Sequence, residues 1–194
     1  AVWAAALLAF ALASAALAWG SAAGWDERAF RAYYLFGGLL TAFLLGAGSL
    51  LRAGWRPARA VAIAYTGLAV GIAISEPVHV AFDGSIPDAQ DHLDLFPARI
   101  LAIAGNSLGT LAVVAVCLVT FRQRPAGNAL LLAGVGVAAL GSALSGLGVA
   151  ESAVSFAVAS ALLYAGSVGP SSLLRRGRRR GDQPVESSQR PPTV

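Results

Sequence analysis

Six apolar stretches follow one another along this chain, each close to the roughly 20 residues a helix needs to cross a bilayer. We place them at 2–19, 32–51, 60–82, 100–121, 129–149 and 152–174. Polar connections such as "GSAAGWDERAFR", "RAGWRPAR", "DGSIPDAQDHLDLFPAR" and "RQRPAGN" separate them, and the last hairpin is tight around Ala150 and Glu151. Composition agrees with this spacing. Of 194 residues, 57% are hydrophobic and 12% charged, against about 25% charged in a soluble domain, and the mean hydropathy is +0.68. The fold class expected is all-α: a polytopic transmembrane helical bundle of six spans over residues 1–174, with no room for a separate soluble domain.

Arginine placement sets the expected orientation. The chain's basic residues are all arginine. Arg52, Arg56 and Arg59 lie in the second connection, Arg122 and Arg124 in the fourth, and Arg175 to Arg180 follow the last span. The opposite connections carry Asp26, Glu27, Asp83, Asp88, Asp91, Asp94 and Glu151. Both termini are therefore expected on the cytoplasmic side of a plasma membrane, with the acidic loop 83–99 outside. Trp19, Trp25, Tyr33 and Tyr34 would mark the outer boundary, and Trp55, Tyr65 and Tyr164 the inner one. The first span also fits a cleaved signal peptide, in "LLAFALASAALAWGSAAG", which would leave five spans and an outward N-terminus. The absence of an initiator methionine leads us to expect that the chain starts after its true beginning.

The tail 175–194 is polar and rich in proline and serine, and is expected to be disordered. Its cluster Arg175, Arg176, Arg178, Arg179 and Arg180 is a cytoplasmic stop signal that attracts anionic lipid. That cluster also accounts for much of the isoelectric point near 10, so nucleic acid is not an expected partner. The lone Cys117 excludes an internal disulfide and reads as a small packing residue.

Small residues recur four apart: Gly67 and Gly71, Gly105 and Gly109, Ser142 and Gly146. This spacing lets helix backbones approach closely in lipid. The texture is common to polytopic proteins and carries no function by itself. The second and fifth spans share it, but no register holds over their length, so no inverted repeat is expected.

Ionisable residues inside a span are costly, and are candidates for function on that ground. In the third span Tyr65, Ala69, Ile72, Glu76, His79 and Asp83 share one helical face. In the fourth, Arg99, Ile103, Asn106, Thr110, Val113 and Cys117 do the same. An antiparallel hairpin with matched ends would set Asp83 against Arg99 as an outer ion pair, Glu76 against Asn106, and Ile72 against Thr110. Glu76, His79, Asn106 and Thr110 then form the candidate intramembrane polar site, roughly 10 Å below the surface. Pro77 leaves two outcomes open. It kinks the helix, freeing a carbonyl near Ala73, or the helix ends at Ser75 and a long loop follows. We expect the kinked, partly buried form.

That seam could in principle carry several chemistries. Glu76, His79 and His92 are weak metal ligands at a spacing that matches no known site, so no metal is expected. Haem between helices takes two intramembrane histidines, and His79 stands alone, so no cofactor is expected. There is no nucleophile elbow, no zincin helix and no phosphate-binding loop, and nothing points to an enzyme. A proton-coupled role for Glu76 stays open beside a purely structural one.

The stretches "RAYYLFGGLLTAFLLGAGSLL", "PVHVAFDGSIPDAQDHLDLFPARILAIAGNSLGT" and "GNALLLAGVGVAALGS" resemble a family of small polytopic membrane proteins of actinobacteria with no established activity. The likeness rests on Tyr34 to Gly37 opening the second span, on Pro77 and His79, and on Pro97 and Arg99 before the fourth. Glu76 departs from the pattern. The resemblance implies membrane residence and little more. Two functions are expected: a structural or accessory component, as an oligomer or complex subunit, or a small ion-coupled carrier using the polar seam between spans 3 and 4.

Overall fold

A computed structural model describes residues 1–79, 82, 86–145 and 152–168. All regular structure among them is helical: α1 (Val2–Ala23), α2 (Glu27–Tyr33), a π-helical segment (Tyr34–Thr41), α3 (Ala42–Arg52), α4 (Ala58–Ser75), α5 (Ala89–His92), an irregular turn (Leu95–Arg99), α6 (Ile100–Val119), α7 (Pro125–Ser145) and α8 (Ser152–Val168). Four helical runs are long and apolar enough to cross a membrane: Val2–Ala23, Glu27–Arg52, Ala58–Ser75 and Leu95–Val119. The apolar part of α7, Pro125–Ala138, is shorter. The described residues form two compact units, one within residues 1–119 and one that begins at residue 120.

In the first unit, α1 is apolar all round and buries only the stripe Ala6, Ala9, Ala13 and Gly20. A helix of that kind presents its other faces to lipid. The indole of Trp25 lies against Gly20, where a Cβ would sit 2.6 Å from the ring. Gly24 makes the turn before it at φ 93, a left-handed conformation that favours glycine. The Asp26 side chain then caps α2, accepting from the Ala29 amide at 2.7 Å, and so supplies a partner to an orphan N–H.

The second span is one continuous helical run with a π segment, "YLFGGLLT", in its middle. The Thr41 hydroxyl donates to the Phe36 carbonyl five residues back, at 2.7 Å. Beyond it α3 meets α6 backbone to backbone. A Cβ on Gly46 would reach Gly109, and one on Gly109 would reach Ala42 and Phe43. α4 packs on α3 and the π segment, through Ala62, Tyr65 and Ala69. The expected hairpin between the third and fourth spans is therefore corrected. α3 lies along α6, and α4 reaches α6 largely through Tyr65.

Two features of the small-residue pattern also change. Gly105 and Gly109 are at close contacts, Gly105 under the Tyr65 hydroxyl, but Gly67 and Gly71 have open space where a Cβ would go. In the third expected pair, Gly146 lies outside the described residues, as do Glu151 and the arginine tail. At the opposite end of this unit Trp3 donates to Ser49 at 3.3 Å, and the Arg52 guanidinium sits 5.4 Å from the Trp3 ring centre. The second unit is an antiparallel α7–α8 hairpin. Its backbones approach at Gly127 and Gly166, and Gly134 packs against Ala159 and Leu163.

Candidate functional site

The expected third span runs to Phe82, but α4 stops at Ser75. Glu76 is extended, at φ −66 and ψ 125. Pro77 explains the stop: it has no N–H to continue the ladder and its ring disfavours helical geometry at the residue before it. The carbonyl that Pro77 leaves without a donor, Ala73, is taken by the Arg31 guanidinium of α2, which also reaches Ile74 at 3.5 Å. The same guanidinium pairs with Glu27 at 2.6 and 2.8 Å. A cation at a helix C-terminus complements the helix dipole.

The two histidines are set by backbone pairing rather than by a shared helix face. The His79 amide donates to the His92 carbonyl at 2.9 Å, and His92 Nδ1 lies 3.0 Å from the His79 carbonyl. A carbonyl only accepts, so His92 carries its proton on Nδ1. Its ring is buried between Phe30 and Phe82, with centroids 5.3 and 4.7 Å away. His79 is exposed, with Nε2 3.4 Å from an Asp94 carboxylate oxygen. Glu76 and His79 thus do not share a helical face as expected. Among the described residues no three of His, Cys, Asp and Glu come together as a metal-ligand set.

Glu76 is only 5% exposed. It lines a cavity of about 10 Å³ together with Phe30, Arg31, Tyr34, Ala73 and Leu93. The Tyr34 hydroxyl is buried without a hydrogen-bond partner. Burial raises the Glu76 carboxyl above its ordinary value of 4.5 and Asp94 adds to the rise, while His79 and Arg31 act against it.

The remaining seam residues lie elsewhere. Asn106 Nδ2 donates to the Gly38 carbonyl of the π segment at 3.1 Å, and Thr110 is exposed. Ala98, which borders the Glu76 cavity, precedes Asn106 by about two helical turns. The expected contact of Glu76 with Asn106 is therefore not made. The face assigned to α6 is also offset. Its buried stripe runs through Ala102, Gly105, Gly109, Val113 and Cys117, while Ile103 is 59% exposed. Small residues chose the buried face, because only they admit α3 so closely. Arg99 is half-buried near Tyr34, and its expected partner Asp83 lies outside the described residues.

Three residues matter more than their sequence context suggests. Tyr65, expected at a membrane boundary, donates inside the bundle toward the carbonyls of Leu39 (3.0 Å) and Leu101 (3.2 Å). It also stacks on Phe43 with centroids 3.7 Å apart. Arg31 and Tyr34 flank Glu76. The signal available beforehand was the pair Gly37–Gly38 inside a span, since π turns collect at functional positions. No family model, no curated protein and no solved structure matches this chain.

Proposed function

We propose that this chain is a six-span integral protein of a plasma membrane, of the actinobacterial kind it resembles. Both termini would be cytoplasmic and the acidic loop 83–99 outside. It acts as a structural or accessory component, joined to a second copy or to another membrane chain. The observation that carries this is how the polar groups in the middle of the first unit are used. Asn106 and Tyr65 hand their donors to the carbonyls of Gly38, Leu39 and Leu101. Such bonds fix helices in place. A carrier would need a wet path joining Glu76 to Asn106 and Thr110. Thr110 instead faces outward, and the Glu76 cavity has room for about one water. The arginines 175, 176, 178, 179 and 180 add attraction for anionic headgroups, about 1 kcal/mol per residue near the surface.

Native mass spectrometry of the chain released from its own membrane tests the proposal. The expected outcome is co-release with a second copy or a different membrane chain. A lone monomer that also conducts protons in liposomes, with conduction lost in Glu76→Gln, overturns it. For topology, single cysteines at Gln90 and Gln123 in a Cys117→Ser background should react differently with an impermeant maleimide. Position 90 should label on intact cells, and position 123 only after permeabilisation.

A further inference from the structure

At the end of the first unit opposite Glu76, a tight turn joins α3 to α4. The amides of Ala53, Gly54 and Trp55 donate to the carbonyls of Ser49, Leu51 and Leu50, and those of Ala58 and Arg59 to Trp55 and Arg56. Arg52, Arg56 and Arg59 are exposed on this turn, and Trp55 beside them is 48% exposed. The Arg52 guanidinium is drawn to the Trp3 ring. The described ion pairs, Arg31 with Glu27 and His79 with Asp94, both lie at the other end. So do the described carboxylates: Asp26, Glu27, Glu76, Asp88, Asp91 and Asp94. The 18 residues of α4 put about 27 Å between the two ends, several times the roughly 8 Å over which salt screens a charge. The counter-charge for Arg56 and Arg59 must therefore come from outside the described residues.

The face of α4 that continues from Arg59 is apolar and open. Arg59, Ile63, Gly67 and Ile74 share it at helical spacing. Ile63 is 66% and Ile74 73% exposed, and a Cβ on Gly67 would meet nothing within 4 Å. Cations at one end, an amphipathic indole beside them and an open apolar face beyond follow the order of parts in a phospholipid. We propose that the α3–α4 turn and this face of α4 bind a phospholipid of net negative headgroup. Arg56 and Arg59 take its phosphate, Trp55 lies at the level of its glycerol, and an acyl chain runs from Ile63 over the opening at Gly67.

Charge selects the occupant. A pair of guanidiniums holds a phosphate through charge-assisted hydrogen bonds. A zwitterionic headgroup brings its own ammonium to the two arginines and is repelled in part. An anionic headgroup brings none. A second copy inserted in the same direction presents the same arginines at this level, and so cannot supply the missing charge. The site goes beyond an accessory role and does not depend on it. It also holds whichever side of the membrane the turn faces, because phospholipid lines both.

The test is tryptophan fluorescence of the full chain in phosphatidylcholine bilayers that contain brominated phosphatidylglycerol or brominated phosphatidylcholine as quencher. The difference between the wild type and Trp55→Phe is the Trp55 signal. The anionic quencher should act at about one-tenth the mole fraction the zwitterionic one needs, since each arginine near the surface adds several-fold attraction. Arg56→Gln with Arg59→Gln should bring the two lipids within about twofold of each other. Arg56→Lys with Arg59→Lys should keep most of the preference, which separates loss of charge from loss of fold. Arg122→Gln with Arg124→Gln should change nothing. Gly67→Leu fills the opening and should weaken anionic quenching roughly threefold through lost acyl contact. Equal quenching by the two lipids in the wild type overturns the proposal. So does an equal loss in the Arg122 and Arg124 pair, which is diffuse attraction to the net charge, or a Gly67→Leu chain quenched like the wild type. A Trp55 signal that neither lipid quenches means that an acidic protein segment covers the turn, and overturns it as well.

Discussion

The middle of the first unit and its α4 end are built from the same kinds of residue to opposite effect. In the middle, Gly46 and Gly109 bring α3 and α6 into backbone contact, and Tyr65 and Asn106 spend their donors on backbone carbonyls. At the α4 end, Trp25 Nε1 and the Tyr34 hydroxyl are buried without partners, and Glu76, 5% exposed, lines one cavity with Tyr34. A satisfied polar group in lipid fixes geometry. An unsatisfied one is held in place by its neighbours at a cost, because low dielectric makes an unpaired polar group expensive.

The largest expected effect tests the middle. Gly109→Ala places a Cβ against the backbone of Ala42 and Phe43, which cannot withdraw as a side chain can. A loss of about 2–3 kcal/mol is expected in reversible unfolding from mixed micelles. Gly71→Ala, where the same atom meets open space, should stay within about 0.5 kcal/mol. Equal losses at the two positions would break the contrast. Tyr65→Phe keeps the stack on Phe43 and removes the hydroxyl, so roughly 1–2 kcal/mol should go in the same assay. At the other end Arg31→Met removes the cation from the end of α4. About 1 kcal/mol is expected, together with faster hydrogen exchange at the last turn, residues 72–75. Last, Tyr34→Phe removes a buried hydroxyl that has no protein partner and should leave stability almost unchanged. A loss as large as that of Tyr65→Phe would show that the α4 end is held the same way as the middle.

Length and apolarity made four of the helical runs legible from the sequence, because a bilayer demands both. The freed carbonyl near Ala73 was also legible, since it follows from Pro77 alone. What fills it was not: Arg31 stands 42 residues earlier, and no local rule relates the two. The expected α6 face holds at Val113 and Cys117 but not at Ile103 and Thr110, because glycines rather than polar residues set the side that packs. In lipid the closest contact belongs to the smallest side chains, and Asn106 needs only to reach past them to Gly38. The depth matching of Glu76 with Asn106 assumed that neighbours in sequence are neighbours in space. The π segment between them, signalled only by Gly37–Gly38, gave α4 and α6 a shared partner instead.

Arg31 carries a consequence for the order in which the protein can be made. Its place on the Ala73 carbonyl cannot exist until the ribosome has added that residue and α4 has folded back beside α2. Glu27, one turn earlier on its own helix, is present from the start and already grips the guanidinium. The cation thus has a chaperone within its own helix while the later span emerges. Afterwards it keeps both partners, so the joint between the second span and the third is tied only once α4 is in place.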